Sequence, residues 1–162
     1  MPADPPGDVV LAPINGEPHT LREWLTTFHL VVVVLDPYTY ESAWLIDTAG
    51  RILRVFEEAD CRVAWLCTCP ADDARKFLGP WAEEILTLAD PAREVVKGLA
   101  LERLPALVHI AQDGTVAGAA EGWDPAEWRA AADNLAQAMS WRAPLIPAPG
   151  DPVPFPGTPA LG

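Results

Sequence analysis

Cysteine is the residue type in this chain best suited to redox chemistry or to binding a soft metal, and the sequence holds three cysteines. Cys67 and Cys69 form a Cys-Thr-Cys motif at the end of the apolar run "CRVAWLCT", which begins at Cys61. Such a pair could form a strained, readily reduced disulfide or supply two thiolate ligands. Cys61 lies six residues before Cys67, which is about 20 Å along a regular strand, so Cys61 is expected to lie out of reach of the pair. No metal site is predicted, because no Cys or His pair elsewhere completes a zinc pattern. Buried cysteine also packs as a small hydrophobic residue, and both interpretations stay open.

A second candidate site is the segment "DPYTYESAW" (residues 36–44), which follows the apolar run "HLVVVVL". The hydroxyls of Thr39 and Ser42 are placed to accept a backbone N–H and cap a helix. The same helix N-terminus could instead bind a ligand, with Thr39, Tyr40 and Ser42 as donors. Tyr38 and Tyr40 are the two tyrosines of the chain, and their clustering indicates a recognition surface.

Nucleophilic catalysis at Ser42 would require an adjacent general base. The chain has three histidines, His19, His29 and His109, and none is placed for that role by the sequence. His29 begins one predicted strand and His109 lies in another, so both are interpreted as structural. Catalysis at Ser42 is therefore not expected.

Composition sets the class of protein. The 162 residues are half hydrophobic, with 23 acidic and 11 basic residues and a net charge of −12. These values suit one domain with a sizeable core and disfavour binding to nucleic acid or an anionic membrane. The N-terminus has no signal-peptide pattern, and no apolar run approaches the roughly 20 residues that span a bilayer. With an odd number of cysteines, a cytoplasmic location is expected.

The apolar pattern predicts alternating strands and helices, with parallel crossovers first and a hairpin and a helix last. The strands are predicted near residues 9–13, 29–35, 61–68 and 106–120, the last being a hairpin turning at Asp113-Gly114. A short helix follows Thr20, a long one follows Ser42, and others are predicted at 71–89, with a break or bend at Gly79-Pro80, and at 91–101 and 124–141. This order predicts an α/β sandwich whose central sheet is part parallel and part antiparallel.

Three regions are predicted along the chain. Residues 1–8 are expected to be a flexible N-terminus and residues 9–141 the folded domain. Residues 142–162 carry seven of the 18 prolines and almost no charge, which predicts a disordered or polyproline-like tail. Such a tail could serve as a ligand for aromatic grooves.

Four segments in this order resemble the thioredoxin fold, and specifically the redoxin branch that includes the alkyl hydroperoxide reductase and thiol-specific antioxidant proteins. They are "VVVVLDPYTYES", "LADPAREVVKGLAL", "LPALVHIAQDGTV" and "EGW". The resemblance implies a thioredoxin-like sandwich, with helices on both faces of the sheet. It also implies a cis Leu104-Pro105 bond, with Arg103 beside the site.

The same resemblance implies a Thr-x-x-Cys or Cys-x-x-Cys motif at residues 39–42, where this chain reads Thr-Tyr-Glu-Ser. Serine replaces the cysteine, so peroxide reduction and disulfide exchange at Ser42 are excluded. We therefore expect a non-catalytic binding or regulatory module that uses the former active-site edge. The alternative is a thiol-disulfide oxidoreductase or peroxiredoxin-like antioxidant protein that uses Cys67 and Cys69.

The leading hypothesis predicts a protein partner or a small ligand at residues 37–42 and no cofactor. The sequence does not determine the oligomeric state, and a dimer is left open. The candidate ligand-binding residues are Pro37, Tyr38, Thr39, Tyr40, Ser42, Arg103 and Pro105.

Overall fold

A seven-stranded mixed sheet forms the centre of the protein, whose computed structural model describes residues 2–162. The spatial order of its strands is β2-β1-β5-β4-β3-β7-β8, and β6 pairs separately with β9. The strands are β1 (Val10–Pro13), β2 (His19–Thr20), β3 (His29–Leu35), β4 (Cys61–Cys67), β5 (Leu86–Ala89), β6 (Arg103–Leu104), β7 (Ala106–Ile110), β8 (Val116–Glu121) and β9 (Thr158–Pro159).

Seven helices connect and cover these strands. They are α1 (Leu21–Trp24), α2 (Tyr40–Trp44), α3 (Ile46–Phe56), α4 (Ala71–Leu78), α5 (Trp81–Glu84), α6 (Glu94–Gly98) and α7 (Pro125–Met139). β3 pairs in parallel with β4 and antiparallel with β7, and β4 pairs in parallel with β5. The sheet is therefore mixed, as the sequence predicted.

The continuous apolar run of β3 is explained by burial on both faces of the sheet. Val31, Val33 and Leu35 join one hydrophobic cluster, which includes buried residues of α3 and α7. The alternate residues Leu30 and Val32 join a second cluster on the other face, which includes residues of α1 and α6. Helices thus cover both faces of the sheet, and the predicted α/β sandwich is confirmed.

The break predicted at Gly79-Pro80 is confirmed, but the helical prediction for residues 71–89 is wrong at its end. The helix ends at Leu78, since Gly79 adopts a positive φ of 57°, and a single turn, α5, follows Pro80. Leu86–Ala89 is instead strand β5, which pairs with β4 on one side and β1 on the other. Two neighbouring strands satisfy the backbone groups of β5, and this tertiary pairing outweighs local helical pattern.

Two further helices differ from the prediction at their ends. The long helix expected after Ser42 is divided at Leu45 into α2 and α3. The helix expected at residues 91–101 begins at Glu94. The predicted capping residue, Asp90, still accepts the amides of Glu94 and Val95 through its carboxylate, at 2.9 and 3.1 Å. Asp90 thus caps α6 from farther upstream than predicted.

The C-terminal residues 142–162 are not a disordered tail, contrary to the prediction, because they pack against the domain. Their carbonyl groups accept hydrogen bonds from side chains of the domain, including Arg51 to Leu145 and the indole of Trp123 to Pro152. Proline lacks an N–H but keeps its carbonyl, so a proline-rich segment can dock as a row of acceptors. This segment forms β9 and buries Ile146.

The N-terminal residues are also held against the domain rather than loose. The amide of Ala3 donates to the carbonyl of Leu99 at 2.7 Å, and the Asp4 carboxylate accepts the amide of Val116 at 2.8 Å. Met1, which belongs to the predicted flexible segment, lies outside the described residues. Between residues 2 and 162, none of the helices has the length and apolar character needed to cross a membrane.

Candidate functional site

The turn between β3 and α2 is closed by its own hydrogen bonds. The Thr39 hydroxyl donates to the carbonyl of Asp36 at 2.8 Å and accepts the amide of Ser42 at 3.4 Å, which makes Thr39 the N-cap of α2. The amide of Tyr38 donates to Oδ1 of Asp36 at 3.0 Å. These bonds fix the path of the chain from the end of the strand into the helix.

Ser42 is fully buried, with 0% of its surface exposed, and its hydroxyl oxygen accepts the backbone N–H of Asp36 at 2.9 Å. Among residues 2–162, the histidines contact other groups: His29 and His109 face each other at 2.9 Å, and His19 lies beside Glu23 and Trp24. Ser42 therefore has no histidine base, and its hydroxyl serves the packing of the turn.

Three aromatic side chains project from the same turn and helix. Tyr38, Tyr40 and Trp44 are 64%, 78% and 57% exposed. The hydroxyl of Tyr38 donates to Asp73 at 2.5 Å, and this bond raises the pKa of Tyr38 to about 12. Trp44 meets the ring of Phe155 edge-on, with centroids 5.7 Å apart. We call Tyr38, Tyr40 and Trp44 the aromatic surface.

A groove of about 670 Å³ adjoins the aromatic surface on the side of α4 and α5. Its apolar lining includes Trp44, Ile46, Phe77, Pro80 and Trp81. The groove extends the apolar area that begins at the exposed ring of Trp44.

An ion pair that was not predicted from the sequence lies beside the turn. Oδ2 of Asp36 accepts Nη2 of Arg93 at 3.0 Å, and both side chains are largely buried. Nη1 of Arg93 donates to the carbonyl of Ala160 at 2.5 Å, so the same guanidinium ties the turn to the C-terminal segment. Arg93 has a left-handed backbone, with φ of 59°.

Cys67 and Cys69 lie at the same edge of the sheet as the turn. Cys67 is the register partner of Leu35, and the amide of Thr68 donates to the carbonyl of Leu35 at 3.0 Å. Both cysteines are free thiols and are buried. Their mutual hydrogen bond, followed by burial, raises the pKa of Cys67, whereas the same bond lowers the pKa of Cys69.

Cys61 lies at the opposite end of β4 from this pair, as its spacing predicted. Its thiol contacts the carbonyl of Phe56 at 3.6 Å. Burial, with a smaller contribution from Asp60, raises the pKa of Cys61 to about 11. Cys61 is thus a packing residue, separate from the site. Among the described residues, no group of three His, Cys, Asp or Glu side chains could hold a metal ion.

The Leu104-Pro105 peptide bond is cis. Leu104 is buried and Arg103 is exposed, and both residues pair with β9 of the C-terminal segment. Arg93, rather than Arg103, forms the ion pair at the site.

The structure thus gathers Tyr38, Thr39, Tyr40 and Ser42 in one turn, with the cysteine pair on the neighbouring strand. Asp36, Arg93 and Asp73 also contribute to the site and were not predicted to do so. An acidic residue directly after a buried strand was the available signal for Asp36. No local pattern marked Arg93, because its role depends on contacts with residues 57 and 67 positions away.

Comparison with solved structures identifies the fold. A DsbE thiol:disulfide interchange protein from Chlorobium tepidum superimposes with a TM-score of 0.69 at 17% identity, covering 86% of this chain and 98% of that one. Peroxiredoxin Q from Xanthomonas campestris superimposes with a TM-score of 0.63 at 14% identity, covering 83% and 90%. A secreted Mycobacterium tuberculosis disulfide oxidoreductase gives 0.56 at 15% identity, covering 70% and 83%.

The chain therefore has the thioredoxin-like α/β fold that these redoxins share, which confirms the fold implied by the resemblance. No protein-family model and no curated protein matches the sequence. At these identities the structural likeness establishes the fold, and the activity must be argued from the site.

Proposed function

We propose that this thioredoxin-fold protein is a non-catalytic binding module, and that its former active-site edge binds a protein partner through the aromatic surface. The observation that carries the proposal is Ser42. It occupies the position that the resemblance assigns to the reactive cysteine, and it is buried and hydrogen-bonded to Asp36. A buried hydroxyl without a base has no means to act as a nucleophile.

The exposure of the aromatic surface supports the binding role. Tyrosine and tryptophan are the residues most often found at the energetic centres of protein interfaces. Here three of them project into solvent within seven residues of sequence, next to a groove lined by both apolar and charged side chains. Large exposed apolar areas on a soluble domain mark interaction sites. The three rings are exposed rather than enclosed in a cavity, which suits the surface of a protein better than a small ligand.

A test of this proposal is capture of partners from an extract of the source cells by the full chain and by surface variants. Tyr40→Ser and Trp44→Ala are expected to lower the retention of a specific partner at least about tenfold, as truncation of interface anchors does. Val10→Ser is the matched control, because Val10 is 54% exposed on β1, which is separated from β3 by two strands of the sheet. Retention that is equal in all four proteins would refute the aromatic surface as the binding site.

The contact between the thiols of Cys67 and Cys69 favours a second candidate function, that of a thiol-disulfide oxidoreductase. The lowered pKa of Cys69 would make it the attacking thiol. The burial of Cys69 opposes this function, because in thiol exchange the thiolate must reach a sulfur of the substrate's disulfide. We therefore place it second.

A further inference from the structure

The C-terminal segment occupies the strand edge next to the aromatic surface. β9 pairs antiparallel with β6, with Pro159 opposite Arg103 and Thr158 opposite Leu104. The amide of Ala160 donates to the carbonyl of Glu102 at 2.9 Å. A second pairing joins Phe155 to Trp123, whose amides and carbonyls bond reciprocally at 2.8 and 3.1 Å. We call residues 155–160 the strap.

The strap fits this edge through a close backbone approach at a glycine. Gly157 has φ of 83°, and a Cβ on it would lie 2.5 Å from the carbonyl oxygen of Leu104 and 3.1 Å from the Cα of Gly122. No other residue type fits this position without displacing backbone atoms. The site therefore specifies a glycine in the extended segment that covers it.

The strap is held by backbone hydrogen bonds and by only one fully buried side chain, that of Ala160. Within the strap, Ala160 belongs to one hydrophobic core cluster and Phe155 is half-buried against the other, whereas Pro156 and Pro159 are exposed. Its attachments are the backbone pairs above, the Arg93 bond to the carbonyl of Ala160, and the edge contact of Phe155 with Trp44. Segments with few buried apolar contacts open at lower free energy than the core does.

We propose that the strap is a displaceable internal ligand, and that a partner binds by replacing it with its own extended, glycine-containing peptide. The proposal rests on the proposed function, because the edge of residues 102–104 adjoins the aromatic surface through Phe155 and Trp44. The partner's peptide adds a strand to β6, and its glycine takes the place of Gly157 beside Leu104. In the free protein the strap closes this edge and lowers the apparent affinity for the partner.

The test uses the full chain and a labelled synthetic peptide of residues 150–162. Gly157→Ala is expected to release the strap and so free the edge for the peptide. The peptide should then bind this variant at least about tenfold more tightly than the wild-type chain, whose edge is occupied. A peptide carrying the same Gly157→Ala change should not bind either chain. Gly150→Ala is the matched control, because Gly150 has φ of 91° but no atom within 4 Å of an added Cβ.

Two results would overturn the proposal. In the first, the Gly157→Ala chain is folded and its Phe155 and Ala160 amides exchange rapidly, so the strap is released, yet the chain does not bind the peptide. The other is equal affinity of the peptide for both chains, which would place its site elsewhere.

Hydrogen exchange of the wild-type chain keeps the proposal testable if the variant does not fold. The amides of Phe155 and Ala160 should exchange through a local opening, well before those of β3. If the strap amides instead exchange as slowly as the amides of β3, the strap opens only with the whole domain, and the proposal is wrong. Failure of the aromatic-surface variants to lose a partner is a separate outcome, because these experiments use the chain's own peptide.

Discussion

The hydroxyl of Ser42 accepts the backbone N–H of Asp36 at 2.9 Å, entirely out of contact with solvent. This bond joins the first turn of α2 to the end of β3. The side chain of Ser42 is thereby part of the packing of the turn.

Ser42→Ala should therefore lower the free energy of unfolding by about 1–3 kcal/mol, because it leaves a buried N–H without an acceptor. Urea denaturation monitored by tryptophan fluorescence measures this change. Ser140→Ala is the control, since Ser140 is exposed, and it should have little effect. A loss in Ser42→Ala no larger than in the control would contradict the structural role of the hydroxyl.

Arg93→Ala should be the more damaging of two arginine substitutions. It leaves the buried carboxylate of Asp36 unpaired, and breaking a buried pair costs about 3–5 kcal/mol. Arg75→Ala removes an exposed pair with Asp72 and hydrogen bonds to the Ile14 carbonyl and the Asn15 side chain, but it leaves no buried charge unpaired, so the expected loss is smaller. Similar unfolding midpoints for the two variants would show that the Asp36 pair is not important for stability.

His109 makes stability depend on pH. Burial, with a smaller contribution from His29, lowers the pKa of His109 to about 4. Between about pH 6.5 and pH 4 the unfolded chain binds a proton at this side chain and the folded chain does not. The free energy of unfolding should therefore fall as the pH is lowered through this range, by up to about 3 kcal/mol.

The measurement is urea unfolding at a series of pH values across that range, with His109→Gln as the comparison. The variant should show a flatter dependence on pH than the wild type. Parallel curves for the two proteins would assign the pH dependence to other groups.

All three cysteines should resist alkylation in the folded protein, because each is buried. Mass spectrometry of a time course near pH 7 should show slow labelling of Cys61, Cys67 and Cys69, and rapid labelling once urea is added. The oxidoreductase alternative requires a different result. It predicts that Cys67 or Cys69 reacts far faster than Cys61 in the folded state.

The fold was largely predictable because its strongest signals are local. The continuous apolar run of β3 and the helical spacing of Leu45, Ile52 and Phe56 each reflect burial, which the structure confirms. β5 was missed because four residues with a mixed pattern carry little information about two neighbouring strands. Pairing with β1 and β4 makes that segment a strand, and the residues of the segment alone do not indicate this pairing.

The site was predictable only in part, for the same reason. The hydroxyls of the turn and its exposed tyrosines could be read from "DPYTYES". The pairing of Asp36 with Arg93 and the docking of the C-terminal segment join residues distant in sequence. The proline content of that segment predicted disorder, yet its carbonyl groups and Gly157 fit the domain closely. The composition of a segment indicates whether it would fold in isolation, but it carries no information about the surface on which the segment packs.

The most direct test of the non-catalytic role is a turnover assay of the purified full chain with hydrogen peroxide and with a disulfide substrate, each in the presence of a dithiol reductant. We expect no turnover above the rate without protein, and no change on Cys67→Ala or Cys69→Ala substitution. Clear catalysis by the wild-type chain that is lost in Cys69→Ala would contradict the binding role and establish the cysteine pair as a redox centre.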